Sequence, residues 1–185
     1  MILNLNDITN ASFINFEDFF GKITVDGLIM EFGVAGGSTI KKIANGFPNK
    51  TVYGFDSFEG LPEQWRNHYE KGHFACDVPE VPYNVTLVKG WFEDTLPIFL
   101  EEHEGAAAFI HIDCDLYSST KTVFDNLKYR IVDGTIILFD EIISYDGYEE
   151  HEFKAFNEYL KQNDMRYECI GRYTDHEKAG FRVFK

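Results

Sequence analysis

Basic residues are scarce in this sequence. Seventeen Lys and Arg stand against 31 Asp and Glu, a formal charge of −14. A nucleic-acid partner needs a dense basic surface, and so does docking on an anionic membrane, so neither is expected. A nucleotide-like cofactor is not excluded, because it needs only local backbone donors. Most of the surplus carboxylates are read as keeping the protein soluble. Cysteine is also sparse. Cys76, Cys114 and Cys169 lie far apart, with no CxxC pair and no disulfide framework, and the odd count suits a reducing compartment. No apolar run approaches the roughly 18 residues of a membrane span. The opening MILNLNDITN lacks the basic start and apolar stretch of a signal peptide, so a cytoplasmic location is expected. Internal repeats, low-complexity segments and linkers are missing as well. The 185 residues read as a single domain, 1–185.

Aromatic residues are plentiful: 18 Phe, 10 Tyr and 2 Trp. Large apolar side chains gain most from burial, so a well-filled core is expected. Short apolar runs alternate with amphipathic ones. Strands are predicted at 27–34, 51–55, 85–88, 107–112 and 135–139. Two more follow near 165–173 and 179–185, joined by a polar turn holding Asp175, His176, Glu177 and Lys178. Helices are predicted at 13–20, stopped by Gly21, at 36–46, at 61–70, at 116–129 and at 149–162. Another is capped by Asp94, runs to about His103 and holds Pro97 in its first turn. The segment 72–84 reads as a long loop, and Asp133-Gly134 as the turn after a helix. This alternation predicts an α/β fold, a parallel sheet with helices on both faces. The closing pair of strands is near enough to form a hairpin, so one strand must run antiparallel.

In such a sheet, ligands bind outside the carboxyl ends of the strands. The first strand ends in Glu31-Phe32-Gly33-Val34-Ala35-Gly36-Gly37-Ser38. Its glycines permit a tight turn, and the helix that follows offers free N–H groups to an anionic ligand. The second ends in Phe55-Asp56-Ser57, where an acid can accept bonds from ribose hydroxyls or cap the next segment. The third ends in Gly90-Trp91-Phe92, aromatic residues that could cover a base or fill the core. The fourth ends in Asp113-Cys114-Asp115 and the fifth in Asp140-Glu141. Asp113, Asp140 and Glu141 could hold a hard divalent cation, or they could be capping and solvated acids.

The segments EFGVAGGST, FDSFEGLPE, GWFEDTLP, HIDCDLYSSTK and GTIILFDE, in this order over residues 30–141, resemble the macrocin O-methyltransferase family of class I S-adenosylmethionine (SAM) enzymes. The resemblance implies a Rossmann-like class I methyltransferase fold: seven strands, mostly parallel, with an antiparallel C-terminal strand. It implies that Gly33, Gly36 and Ser38 hold the methionine part of SAM, with Glu31 supporting the turn. Asp56 would bind the ribose hydroxyls, Ser57 would sit beside the adenosine, and Trp91 and Phe92 would lie near adenine. Asp113, Asp140 and Glu141 would take the metal positions, as for Mg²⁺, that orient an acceptor hydroxyl. The implied acceptor is a sugar-containing or other small molecule, and the implied assembly is a homodimer. Family members commonly carry Asp-Asp where this chain has Asp140-Glu141. They often carry longer lid segments, so a short N-terminal helix and a reduced substrate cap are expected here. Related catechol-type enzymes place a lysine three residues after the metal aspartate, where this chain has Leu116.

For proton removal, Asp113 is the expected catalytic group, with Asp115, His68 and His73 as further candidates. His111, inside the fourth strand, reads as packing or cofactor-proximal. Two other functions fit the Gly-rich turn and second-strand acid: a SAM-binding module without catalysis, and an NAD(P)-dependent oxidoreductase. The spacing of Gly33, Gly36 and Gly37 does not fit the oxidoreductase GxGxxG fingerprint.

Overall fold

The protein is described by a computed structural model covering residues 2–173 and 176–185. Seven strands form one sheet: β1 (Gly27–Phe32), β2 (Val52–Asp56), β3 (Val85–Lys89), β4 (Ala106–Ile112), β5 (Ile131–Phe139), β6 (Arg166–Arg172) and β7 (Ala179–Phe184). Their order is β3-β2-β1-β4-β5-β7-β6. The five leading strands pair in parallel, and β7 runs antiparallel between β5 and β6. This is the class I methyltransferase sheet.

The inner strands β1 and β4 and the second half of β5 are mostly apolar because both faces are covered, whereas the edge strands β3 and β6 carry polar, partly exposed residues. Their period of two sends neighbouring side chains to opposite layers. Met30, Phe32, Ile110, Ile112, Ile137 and Phe139 pack with helices α3 (Phe92–Glu102), α4 (Tyr117–Leu127) and α5 (Glu152–Gln162). Ile29, Phe109, Ile136 and Leu138 pack on the other face with helix α2 (Ser38–Gly46) and with Phe16 and Phe19. Each buried Phe or Ile contributes about 1.5–3 kcal/mol. The chain order reverses at β1, which has β2 on one side and β4 on the other. That reversal opens a crevice at the carboxyl ends of the strands.

The structure corrects several expectations. Residues 61–70 are not helical. Their N–H groups bond across the loop instead: Trp65 to the Tyr69 carbonyl (3.0 Å), Leu61 to that of His73 (2.9 Å), and Gly72 to that of Leu61 (2.8 Å). Gly60 permits the fold-back, since a Cβ there would stand 2.2 Å from the His73 carbonyl oxygen. Segment 13–20 gives an isolated bridge at Phe13 and then a 3-10 helix, Phe16–Lys22, which contains Gly21 rather than stopping before it. A one-turn helix α1 (Leu5–Thr9) precedes it, too short to show a helical period. Asp133 and Gly134 lie inside β5, at a register shift against β4, and Gly134 takes φ +93°. Helix α3 begins at Phe92, so Asp94 lies in its first turn and Pro97 beyond it. Helix α5 begins at Glu152 after a short 3-10 turn, Tyr148–Glu150. Asp175 lies outside the described residues. Cys76, Cys114 and Cys169 are free thiols. No described helix is long and apolar enough to cross a membrane.

Candidate cofactor and metal site

The turn between β1 and α2 is held by one side chain. Asp56, ending β2, accepts at Oδ2 from the N–H groups of Val34 (2.7 Å) and Ala35 (2.8 Å), and at Oδ1 from Phe58 N–H (2.7 Å). A carboxylate offers about four acceptor sites, so one remains for a ligand hydroxyl. Gly33, at φ +90°, lies against the end of β4: a Cβ would fall 1.7 Å from the Asp113 carbonyl oxygen. Only glycine lets the turn and the β4 acid meet this closely.

Glu31 does not support the turn. It is fully buried on the α2 face of the sheet, where its Oε1 lies 3.0 Å from His111 Nδ1. His111 Nε2 stands 3.3 Å from the Tyr173 hydroxyl, which donates to the Phe139 carbonyl (3.1 Å). Burial pushes the Glu31 carboxyl well above its usual range and the His111 imidazole down to about 4. Glu31 Oε2 is buried without a hydrogen-bond partner among the described residues.

A cleft of about 750 Å³ opens at this edge of the sheet. Gly33, Ala35, Asp56 and Ser57 line one end, Trp91 and Phe92 a side, and Asp113, Asp115, Asp140 and Glu141 the other end. The structure therefore brings together most of the residues singled out from sequence. Gly36 and Ser38 are exposed and lie outside the cleft wall, as does Glu31. Phe92 also packs edge-on against Phe32, with ring centres 5.5 Å apart. His68 and His73 are exposed and do not line the cleft; the His73 ring packs on Tyr69 and Phe74.

The acids converge because β4 and β5 are neighbours, tied at their ends by Asp140 N–H to the Ile112 carbonyl (2.9 Å). One oxygen from each of Asp113, Asp140 and Glu141 falls within 4.8 Å of the others. Burial, and then the charge of Asp140, pushes Asp113 well above its usual range and Glu141 up to about 12. Asp115, held at φ +65°, is pushed to about 7, chiefly by burial. Glu141 Oε2 is buried without a hydrogen-bond partner. An all-oxygen donor set with an unmet oxygen fits a hard divalent cation. The Lys178 ammonium also pairs with Asp140 Oδ2, supplying part of the needed positive charge.

Two groups at this end escaped the sequence reading. Glu152, at the start of α5, is fully buried and its Oε1 accepts from Asp115 N–H (3.2 Å). In sequence it reads as an ordinary first-turn helix acid, and nothing local marks it as buried. Lys178 sits in a polar turn whose only signal was composition.

Residues 13–169 match the family described as macrocin-O-methyltransferase (TylF). Among curated relatives, the chain is 33% identical to the 8-demethyl-8-(2,3-dimethoxy-α-L-rhamnosyl)-tetracenomycin-C 4′-O-methyltransferase of Streptomyces olivaceus, over 63% of this chain and 53% of that protein. It is 27% identical to the demethyldecarbamoylnovobiocin O-methyltransferase of Streptomyces niveus, over 83% of this chain and 65% of that protein. The chain thus spans between about half and two thirds of the length of these relatives. In fold it is similar to CalS11, a calicheamicin methyltransferase, with TM-score 0.71 and 24% identity over 90% of this chain and 76% of that one. With the family matched across most of its length, the chain belongs to the macrocin O-methyltransferase family.

Proposed function

We propose that the chain is a SAM-dependent O-methyltransferase acting on a hydroxyl of a sugar-containing small molecule, with a divalent cation such as Mg²⁺ assisting. The observation that carries this reading is the continuity of one cleft, from the Gly33–Asp56 end to the three carboxylates. The likeness to a relative named for a rhamnosyl-bearing compound supports the sugar acceptor.

SAM supplies an already activated methyl group, so the protein's task is alignment, proton removal and exclusion of water. Asp56 accepts from a ribose hydroxyl at its remaining lone pair while the others keep the turn closed. The backbone at Gly33 and Ala35 receives the methionine end, Ser57 lies beside the adenosine, and Trp91 with Phe92 flanks the adenine. Asp113 takes the acceptor's proton at a carboxylate oxygen. Asp113, Asp140 and Glu141 would hold the cation, which when bound lowers the pKa of a coordinated hydroxyl. The pairing of Lys178 with Asp140 favours a second reading, in which the ammonium neutralises the acids and Asp113 acts without metal.

The same reading takes the chain as one cytoplasmic domain without nucleic-acid or membrane partners, in line with its −14 charge. It takes the assembly as a homodimer, with exposed Ile98 and Tyr129 among the apolar side chains available for a contact. Light scattering at micromolar concentration checks the dimer. Calorimetry with SAM and SAH, followed by turnover on a panel of glycosides, tests the activity. SAH binding without turnover on any glycoside leaves a SAM-binding module. No binding of either ligand removes the whole reading.

A further inference from the structure

Helix α5 carries an acid on its buried face. Its inward positions are Glu152, Ala155, Phe156, Tyr159 and Leu160, the i, i+3, i+4, i+7, i+8 stripe of an amphipathic helix. Ala155, Phe156, Tyr159 and Leu160 belong to the core. Glu152 has no solvent exposure either. Burying a carboxyl is costly unless its oxygens are matched, and here one of the two is. Oε1 accepts from Asp115 N–H (3.2 Å), while Oε2 meets no partner among the described residues. An apolar side chain would complete the stripe at less cost, so the packing of α5 does not account for this glutamate. Its bond to Asp115 does.

That bond ends in the turn that presents the β4 acids. Asp113 N–H donates to the Phe32 carbonyl (2.8 Å), which ties the start of the turn to β1. Cys114 turns into the core, its thiol 3.4 Å from the Thr120 hydroxyl, while Asp113 and Asp115 line the cleft. Leu116 N–H then donates back to the Cys114 carbonyl (2.6 Å). This i to i+2 bond, with Asp115 between at φ +65°, makes a γ-turn of the rare, strained hand. Such backbone persists only where its surroundings hold it. Asp115 is buried, and Glu152 is the acceptor that meets its N–H.

We propose that Glu152 is a positioning residue: it pins the strained turn at Asp115, and so holds Asp113 where its carboxylate can share a divalent cation with Asp140 and Glu141. This rests on the cation-assisted part of the proposed function. Glu152 does not line the cleft and touches no ligand; it acts through the Asp115 backbone. What the turn needs from it is an oxygen at the right reach, not a charge. Burial, and then the charge of Asp115, push the Glu152 carboxyl well above its usual range, so a neutral acceptor of the same length copies it.

Two variants separate reach from charge. Glu152→Gln keeps an oxygen at the same length, and Glu152→Asp keeps the carboxyl but shortens it by one methylene. Mn²⁺, which suits oxygen ligands, is the probe ion. Its affinity is read by electron paramagnetic resonance with and without SAH, the exchange of the Asp115 amide by NMR, and SAH affinity by calorimetry. Glu152→Gln should keep Mn²⁺ affinity and Asp115 amide protection within about threefold of wild type. Glu152→Asp should lose about tenfold in both, the scale of one hydrogen bond, with SAH affinity held within about twofold. Equal losses in the two variants overturn the proposal, as does unchanged Mn²⁺ affinity in both. An Asp115 amide that exchanges freely in the wild-type protein overturns it, and so does a Glu152→Asp protein that loses SAH and Mn²⁺ alike. Wild-type protein that binds SAH but no Mn²⁺ overturns it together with the cation, sparing the rest of the methyltransferase reading. The expected Mn²⁺ pattern in protein that binds no SAH upholds the proposal and removes that reading.

Discussion

The cleft has two ends built on different terms. At the cofactor end, Asp56 meets three N–H groups, and the turn from β1 into α2 is complete without any ligand. At the acceptor end, carboxylates crowd within 4.8 Å, Glu141 and Glu152 keep unmet oxygens, and the loops above bury unmet donors. Left-handed residues Asp115 and Ser144 hold the backbone there in strained positions. One end has its polar bonding complete; the other keeps buried polar atoms without partners. The two should therefore respond oppositely to mutation. Changes at the cofactor end cost stability and cofactor affinity together. Changes at the acceptor end cost turnover and leave the fold intact.

The largest effect is expected at Asp113. Asp113→Asn should lower methyl transfer by roughly 10²–10⁴-fold, the range for a positioned acid or base. SAH affinity should hold within about twofold, because in the proposed reading the first two strands carry the cofactor. Turnover and calorimetry on the same preparation check this. Equal losses in both would erase the division between the two ends.

Gly33→Ala strikes the hinge between the ends. A methyl group 1.7 Å from the Asp113 carbonyl, at φ +90°, must displace either the turn or the end of β4. A stability loss of about 3 kcal/mol is expected in urea unfolding, at the upper edge of the usual range for backbone strain. Asp56→Ala comes next. It strands the Val34 and Ala35 N–H groups and should weaken SAM by about 1.5–3 kcal/mol, the range for bonds to a charged group. Its melting temperature should fall in parallel, which distinguishes it from Asp113→Asn.

The contrast between the ends also governs what the sequence made readable. Glycines and acids that follow apolar runs mark the ends of parallel strands, so Gly33, Asp56, Asp113 and Asp140 were visible at once. Glu31 was visible but misplaced. It alternates with Met30 and Phe32, which face the α3–α5 layer, so its side chain must point to the other layer. Its partner there, His111, is set by the β1–β4 register, and no local pattern encodes register. The segment 61–70 reads as helical but closes through backbone bonds across its own loop, with Gly60 at the fold-back, while Leu61 and Trp65 pack with Leu116. What stayed hidden at the carboxylate end were groups from outside the strand ends, such as Glu152 at the start of α5 and Lys178, which meet the strand-end acids only in the folded chain.

The smallest effect, and the one that separates metal from ammonium, is expected at Glu141. Its Oε2 is unmet and burial pushes its carboxyl up to about 12, so without a cation the side chain is a neutral group of nearly the shape of glutamine. Glu141→Gln should then leave the melting temperature of EDTA-treated protein within about a degree of wild type, since a change of less than ~0.3 kcal/mol is hardly seen in a domain of this size. Mg²⁺ changes the comparison. An ion that binds only the folded state stabilises it by RT ln(1 + [Mg²⁺]/Kd), about 2.7 kcal/mol at a hundredfold excess over Kd. Wild-type protein should gain that shift, and Glu141→Gln should gain about 1.4 kcal/mol less if one lost ligand weakens Mg²⁺ tenfold. Turnover at saturating Mg²⁺ should stay within a few-fold of wild type, because Asp113 and Asp140 remain to hold the ion. If Mg²⁺ shifts neither protein and EDTA leaves turnover intact, Lys178 supplies the positive charge at Asp140 and Asp113 takes the proton unaided.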